Sequence, residues 1–150
     1  LPGGLAVATN IACAGFAAAS GSSVATAAAM GRIAIPEMLK NGYDKGLATG
    51  VVASGGTLGA LIPPSILFVL YGIFAEVSIS KLLIAGVLPG VLTGAVYSTM
   101  IIARCWLKPE LGPRVASDVS WKERVQALGA VWPLALLIIG VIGGLYGGIF

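Results

Sequence analysis

The sequence predicts an all-α, polytopic membrane protein, on three observations. Apolar residues make up 57% of the chain and charged residues only 10%, against roughly 25% charged in a soluble domain. The charges fall in three clusters, Arg32 to Lys45, Glu76 with Lys81, and Arg104 to Arg124. Between them lie four charge-free stretches, 1–31, 46–75, 82–103 and 125–150. Each is long enough to span a bilayer, which takes about 20 apolar residues.

Segment 1–31 is mostly Ala, Gly, Ser and Thr, with Asn10 inside it. Such a surface suits close helix packing better than lipid contact. Its middle, Ser20-Gly21-Ser22-Ser23, is a turn signal, and the apolar pattern resumes at Val24 and runs to about Lys40. Two arms of this length, at about 1.5 Å per residue, would each reach the bilayer centre. A re-entrant helical hairpin with its tip at 20–23 therefore fits, beside the plainer reading of one span over 5–31.

Segment 46–75 is interrupted. Ser54-Gly55-Gly56-Thr57 and Gly59 loosen it, and Pro63-Pro64 cannot donate to a helical ladder. Residues 46–54 and 65–75 read as half-helices joined by non-helical backbone, a broken transmembrane helix. At membrane depth such backbone survives only where protein or a water-filled cavity satisfies it. Segment 82–103 is a plainer transmembrane helix, with Gly86, Gly90 and Gly94 as a stripe for close packing and Pro89 as a kink. Residues 104–124 read as a cytoplasmic linker. In it Ser120 and Glu123 form a capping box, and Trp106 and Trp121 sit as headgroup-level anchors. Segment 125–150 starts the next span, and the chain reads as an internal piece of a longer permease.

Orientation follows from the basic residues. Three lie in 32–45, one in 76–81 and five in 104–124. The positive-inside rule places the first and third clusters in the cytoplasm and 76–81 outside. Several function classes drop out. The chain has no His, and its two cysteines, Cys13 and Cys105, are too few for a disulfide framework or a metal site. No nucleophile–base pair, paired carboxylate or phosphate-cradling motif is present, so an enzyme is not expected. No basic cluster is interleaved with aromatics, so nucleic acid is not expected either.

What remains is binding and transport. Two polar interruptions of similar composition occur in otherwise apolar segments, and secondary transporters place their sites in discontinuous helices near the midplane. Hydroxyl and backbone carbonyl oxygens suit a small hard cation without burying a full charge. The predicted Na⁺ ligands are Ser20, Ser22 and Ser23 from the tip with Gly55, Gly56 and Thr57 from the break. Ser22, Ser23, Pro64 and Ser65 are the predicted substrate contacts, since a helix starting at Pro64-Ser65 presents its positive end to a carboxylate.

These residues also carry a resemblance. Leu1-Pro2-Gly3-Gly4-Leu5-Ala6, Ser20-Gly21-Ser22-Ser23-Val24-Ala25, Ile35-Pro36-Glu37-Met38, Gly42-Tyr43-Asp44, Gly59-Ala60-Leu61-Ile62-Pro63-Pro64-Ser65 and Ala85-Gly86-Val87-Leu88-Pro89-Gly90 together resemble the large membrane subunit of tripartite ATP-independent periplasmic (TRAP) transporters, the DctM-like family. The resemblance covers essentially the whole chain. It implies Na⁺-coupled import of organic acids, such as C4-dicarboxylates or sialic acid, across the bacterial inner membrane. It also implies a small four-span membrane subunit and a periplasmic solute-binding protein as partners. The fold implied is elevator-type, as in the ion transporter superfamily, with 5–42 as a re-entrant hairpin, 46–75 as a broken helix and 82–103 as a scaffold arm. One departure stands out. Where members of the family often carry Ser-Ser or Ser-Thr before the break, this chain has Gly55-Gly56, which leaves backbone carbonyls there. A dicarboxylate or citrate symporter that needs no binding protein is the alternative, and a channel subunit fits least.

Overall fold

The computed structural model describes residues 3–113 and, beyond them, positions 129, 132, 133, 136, 139, 140, 143, 144 and 147. The chain divides into two compact units, 1–115 and 116–150. The capping box at Ser120 and Glu123, the Trp121 anchor and most of the 125–150 span lie outside the described residues.

Among the described residues the first unit is built of helices and short connections, with no strand. Its helices are α1 (Gly4–Ser20), α2 (Ser23–Lys40), α3 (Lys45–Thr57), α4 (Ile66–Phe74) and α5 (Ile79–Leu107), with short 3₁₀ turns at Leu58–Ala60 and Pro109–Leu111. The helix ends are set locally. Gly21 closes α1 in the left-handed conformation, φ +63°, its N–H donating to Ala17 C=O at 2.8 Å, a common helix stop that glycine adopts without steric penalty. Ser22 then caps α2, its hydroxyl accepting from Ala25 N–H at 3.3 Å. Asp44 caps α3 by accepting from Leu47 N–H at 2.9 Å.

With only Gly21 and Ser22 between them, α1 and α2 fold back on each other. At the far end, the Tyr43 hydroxyl accepts from Leu5 N–H at 3.2 Å. It satisfies an N–H that the Gly3 N-cap, with no side chain, leaves open. Burial raises the Tyr43 phenol above its usual pKa, so it stays neutral in this role. Start and end of the 5–42 segment thus lie together, and the two arms form a helical hairpin rather than one continuous helix.

The second expectation needs correction. The first half of the broken helix does not end at residue 54. α3 runs on through Ser54-Gly55-Gly56-Thr57, and the non-helical stretch lies at 61–65, around Pro63-Pro64. The reason is tertiary. A Cβ on Gly55 would sit 2.8 Å from Cys13 Cβ, and one on Gly56 would sit 2.8 Å from Ala27 Cβ. These glycines let α3 lie directly on both hairpin arms, which offsets their helix-propensity cost of about 1 kcal/mol each. Val51 and Val52 of α3 share a buried core with Met30, Ala34 and Met38 of α2.

Helix α5 is 29 residues long, about 44 Å at 1.5 Å per residue, and overruns the expected 82–103 at both ends. Among the described residues it is the one helix long and apolar enough to cross a membrane. It packs along the break. A Cβ on Gly86 would overlap the Phe68 ring and approach Leu61 O at 2.9 Å, and one on Gly90 would lie 3.0 Å from Ile62 Cγ1. The glycine stripe thus seats the break. At the other end of α5, Asp44 N–H donates to Leu111 C=O at 3.0 Å.

Candidate functional site

The hairpin tip and the residues flanking the helix break, 33 or more apart in sequence, meet in one seam. Gly59, just after α3, is pressed on the tip. A Cβ there would lie 2.7 Å from Ser22 C, 2.8 Å from Ser22 O and 2.8 Å from Ser23 N. A Cβ on Gly56 would lie 3.3 Å from Ser23 O. On the other side of the break, Ile66 N–H donates to Gly21 C=O at 3.1 Å. A Cβ on Gly21 would overlap Pro64 O, so Gly21 is required both by its positive φ and by this contact.

The predicted site residues divide between this seam and its flanks. Ser22, Ser23, Gly56 and Pro64 are at the seam. Ser20 is beside it, its hydroxyl 3.1 Å from Thr26 Oγ1. Ser65 is buried, and its hydroxyl donates to Ala60 C=O at 2.8 Å, closing the turn before α4. Gly55 and Thr57 face elsewhere. Gly55 lies on Cys13. The Thr57 hydroxyl donates to Ser54 C=O at 2.6 Å and lies 3.2 Å from the Tyr97 hydroxyl of α5. The carbonyls of Gly55 and Gly56 both accept from Leu58 N–H. At the start of α4, where a carboxylate was expected to meet open N–H groups, the Ile66 N–H is committed to the tip.

Three polar residues were given no role in the sequence reading. Thr26 is fully buried beneath the tip and donates to Ser22 C=O at 2.8 Å. Tyr97 meets Thr57. Asn10, 1% exposed, donates through Nδ2 to Gly94 C=O at 3.0 Å and to Ser98 Oγ at 2.9 Å, while its Oδ1 has no partner. A lone amide in an apolar run was the visible sign at Asn10. Its partners, more than 80 residues on, were not visible. Among the described residues no group of His, Cys, Asp or Glu could hold a metal ion. A cation at the seam would be held by neutral oxygens, a ligand class that suits hard cations.

Known proteins are similar to this chain. The family profile described as "Tripartite ATP-independent periplasmic transporter, DctM component" matches residues 1–150. The chain is 46% identical to the C4-dicarboxylate TRAP transporter large permease protein DctM of Vibrio cholerae, over 99% of this chain and 32% of that protein. It is 47% identical to the protein of the same name from Pseudomonas aeruginosa, over 99% and 34%. It is 42% identical to the isethionate TRAP transporter permease protein DctMQ of Oleidesulfovibrio alaskensis, over 99% and 23%. The chain spans about a third of the length of the first two relatives.

Proposed function

From the premise that this chain belongs to the DctM family of tripartite ATP-independent periplasmic transporters, we propose that it carries half of the ion and solute site of a Na⁺-coupled importer of organic acids. The family is one of transporters, not enzymes. The observation that carries the reading is the seam itself. Two backbone interruptions rich in Gly, Ser and Pro are held in contact across a glycine, with no Cβ between them. That is how a transporter brings oxygens from separate elements to one ion. In this reading the hairpin is re-entrant and opens to the cytoplasm, with its tip near the midplane of the inner membrane. Na⁺ binds among Ser20, Ser22, Ser23 and Gly56, with Gly55 and Thr57 behind them at the end of α3. The substrate carboxylate lies against Ser22, Ser23 and the Pro64-Ser65 start of α4, where the positive end of the helix attracts it. A small four-span subunit and a periplasmic solute-binding protein complete the transporter. Because α5 is seated on hairpin and break, all three move together in an elevator step.

The test is uptake of a radiolabelled C4-dicarboxylate by proteoliposomes holding the full-length permease, its small subunit and its binding protein. Uptake is expected only with an inward Na⁺ gradient and only with the binding protein present. Uptake without the binding protein would select a simple symporter instead. Ser22→Gly is expected to raise the Na⁺ concentration for half-maximal uptake about tenfold, the effect of losing one ligand worth about 1.4 kcal/mol. Glycine is chosen because it keeps most of the helix-capping stability of serine. Thr57→Ala should shift it less, since Ser54 and Tyr97 already hold that hydroxyl. Unchanged Na⁺ dependence in Ser22→Gly would remove its side chain from the ligand set.

Orientation has its own check. Single cysteines at Lys40 and Lys108 should be blocked by an impermeant thiol reagent only from the cytoplasmic side, and one at Ser78 only from the periplasm. The reverse pattern would invert the hairpin.

A further inference from the structure

We propose that Thr26 is a positioning residue for the cation-binding tip, its buried hydroxyl bracing the two hairpin arms and fixing the direction of the Ser22 carbonyl. This rests on the reading of the seam as a cation site. Thr26 Oγ1 donates to Ser22 C=O at 2.8 Å and lies 3.1 Å from Ser20 Oγ. A threonine bonding back to the carbonyl four residues earlier is ordinary in a helix and alone would mean only local satisfaction. Two facts carry it further. The Ser20–Thr26 contact is the one side-chain to side-chain hydrogen bond joining α1 to α2 among the described residues. The Ser22 carbonyl also accepts from Thr26 N–H at 3.0 Å, and the single Ser20 hydroxyl proton goes to Thr26 Oγ1 at 3.1 Å or, in its place, to this carbonyl at 3.4 Å, so both arms are tied to the same point. This is the same carbonyl that lies against Gly59, where a Cβ would approach it at 2.8 Å.

Thr26 therefore sets the peptide plane between Ser22 and Ser23, and with it the distance from both serine hydroxyls to the break. Without its hydroxyl the carbonyl loses a donor and the tip gains freedom. An ion site built from neutral oxygens then loses preorganisation, which is where affinity is lost when a supporting group is removed. Thr26 touches neither ion nor solute in this account.

The experiment is a Na⁺ titration of uptake in proteoliposomes holding the whole transporter, with wild type, Thr26→Val and Thr26→Ser compared at equal inserted amounts. Valine keeps the shape and removes the hydroxyl, and serine keeps the hydroxyl. Thr26→Val is expected to raise the half-saturating Na⁺ concentration about tenfold while the maximal rate at saturating Na⁺ changes less than twofold. Thr26→Ser is expected to stay within twofold of wild type in both. A merely structural role would lower the maximal rate and leave the half-saturating concentration alone, and that result overturns the proposal. So does a serine variant as impaired as valine. If Thr26→Val does not insert, Thr26→Cys takes its place, with a smaller shift in the same direction expected and wild-type behaviour overturning the idea. Wild-type uptake that ignores Na⁺ would instead remove the cation reading itself, and the Thr26 proposal with it.

Discussion

Gly59→Ala is expected to cut uptake at least tenfold while the protein still inserts. The added methyl would sit 2.7–2.8 Å from Ser22 C, Ser22 O and Ser23 N, all backbone atoms that no rotamer change can move. Relief requires the tip and the break to part by about half an ångström, the tolerance within which a binding constellation has to be held. Overpacking of this kind costs about 1–3 kcal/mol, and one tenfold step corresponds to about 1.4 kcal/mol. Gly50→Ala is the matched control. A Cβ at Gly50 meets nothing within 4 Å, and alanine inside an exposed helix is favoured over glycine by about 0.5–1 kcal/mol. The check is the initial uptake rate per inserted transporter for both variants. Equal rates would mean that the seam tolerates separation and does not carry the site.

Asn10→Asp is expected to destabilise the fold more than Asn10→Leu, although aspartate is closer in shape. Asn10 joins the first hairpin arm to α5 through two hydrogen bonds, to Gly94 C=O and Ser98 Oγ. Hydrogen bonds between membrane helices average about 0.6 kcal/mol and reach about 1.7, so leucine should cost about 1–2 kcal/mol in all. Aspartate loses the same two donors. It also places a carboxylate where the existing Oδ1 already has no donor, and a buried charge without a partner costs several kcal/mol. Only the ionised form of the carboxyl carries this desolvation cost, so the destabilisation is greatest at neutral pH and is relieved where acid protonates the group. Thermal unfolding in detergent between acid and neutral pH reads this directly. The aspartate variant should gain stability on acidification and the leucine variant should not. A leucine variant as unstable as aspartate at neutral pH would point to shape rather than charge.

Much of the architecture was legible because its causes are local. Charges cannot enter the membrane cheaply, which is why the apolar stretches were read between their clusters, yet α2 carries Arg32, Glu37 and Lys40 inside it and α5 carries Lys81 and Arg104. Gly21 followed by Ser22 is a helix stop followed by a helix start, and the hairpin turns there. Pro63 and Pro64 lack donors, and the helix is broken around them. The reading failed at Gly55-Gly56, which resembled a loosened backbone. A pair of glycines in an apolar run has two meanings, weak helix or close approach. Only Cys13 and Ala27, packed against them from the two hairpin arms, decide between them.

The sequence by itself determined which segments are apolar, where they are interrupted and which family the chain belongs to, since composition, turn chemistry and motif order are properties of short stretches. Tertiary structure alone decided which oxygens face the seam. Ser22 and Thr57 look alike as hydroxyls beside a break, yet one lies at the contact with Gly59 and the other turns to Tyr97. Thr26 and Asn10 read as small polar residues of a packing helix until Ser20 and Gly94 are set against them. The physical reason is that a hydroxyl or amide has no role until a partner comes within about 3 Å. That partner is supplied by a backbone reversal or by a helix from another part of the chain, neither of which leaves a trace in the neighbouring residues.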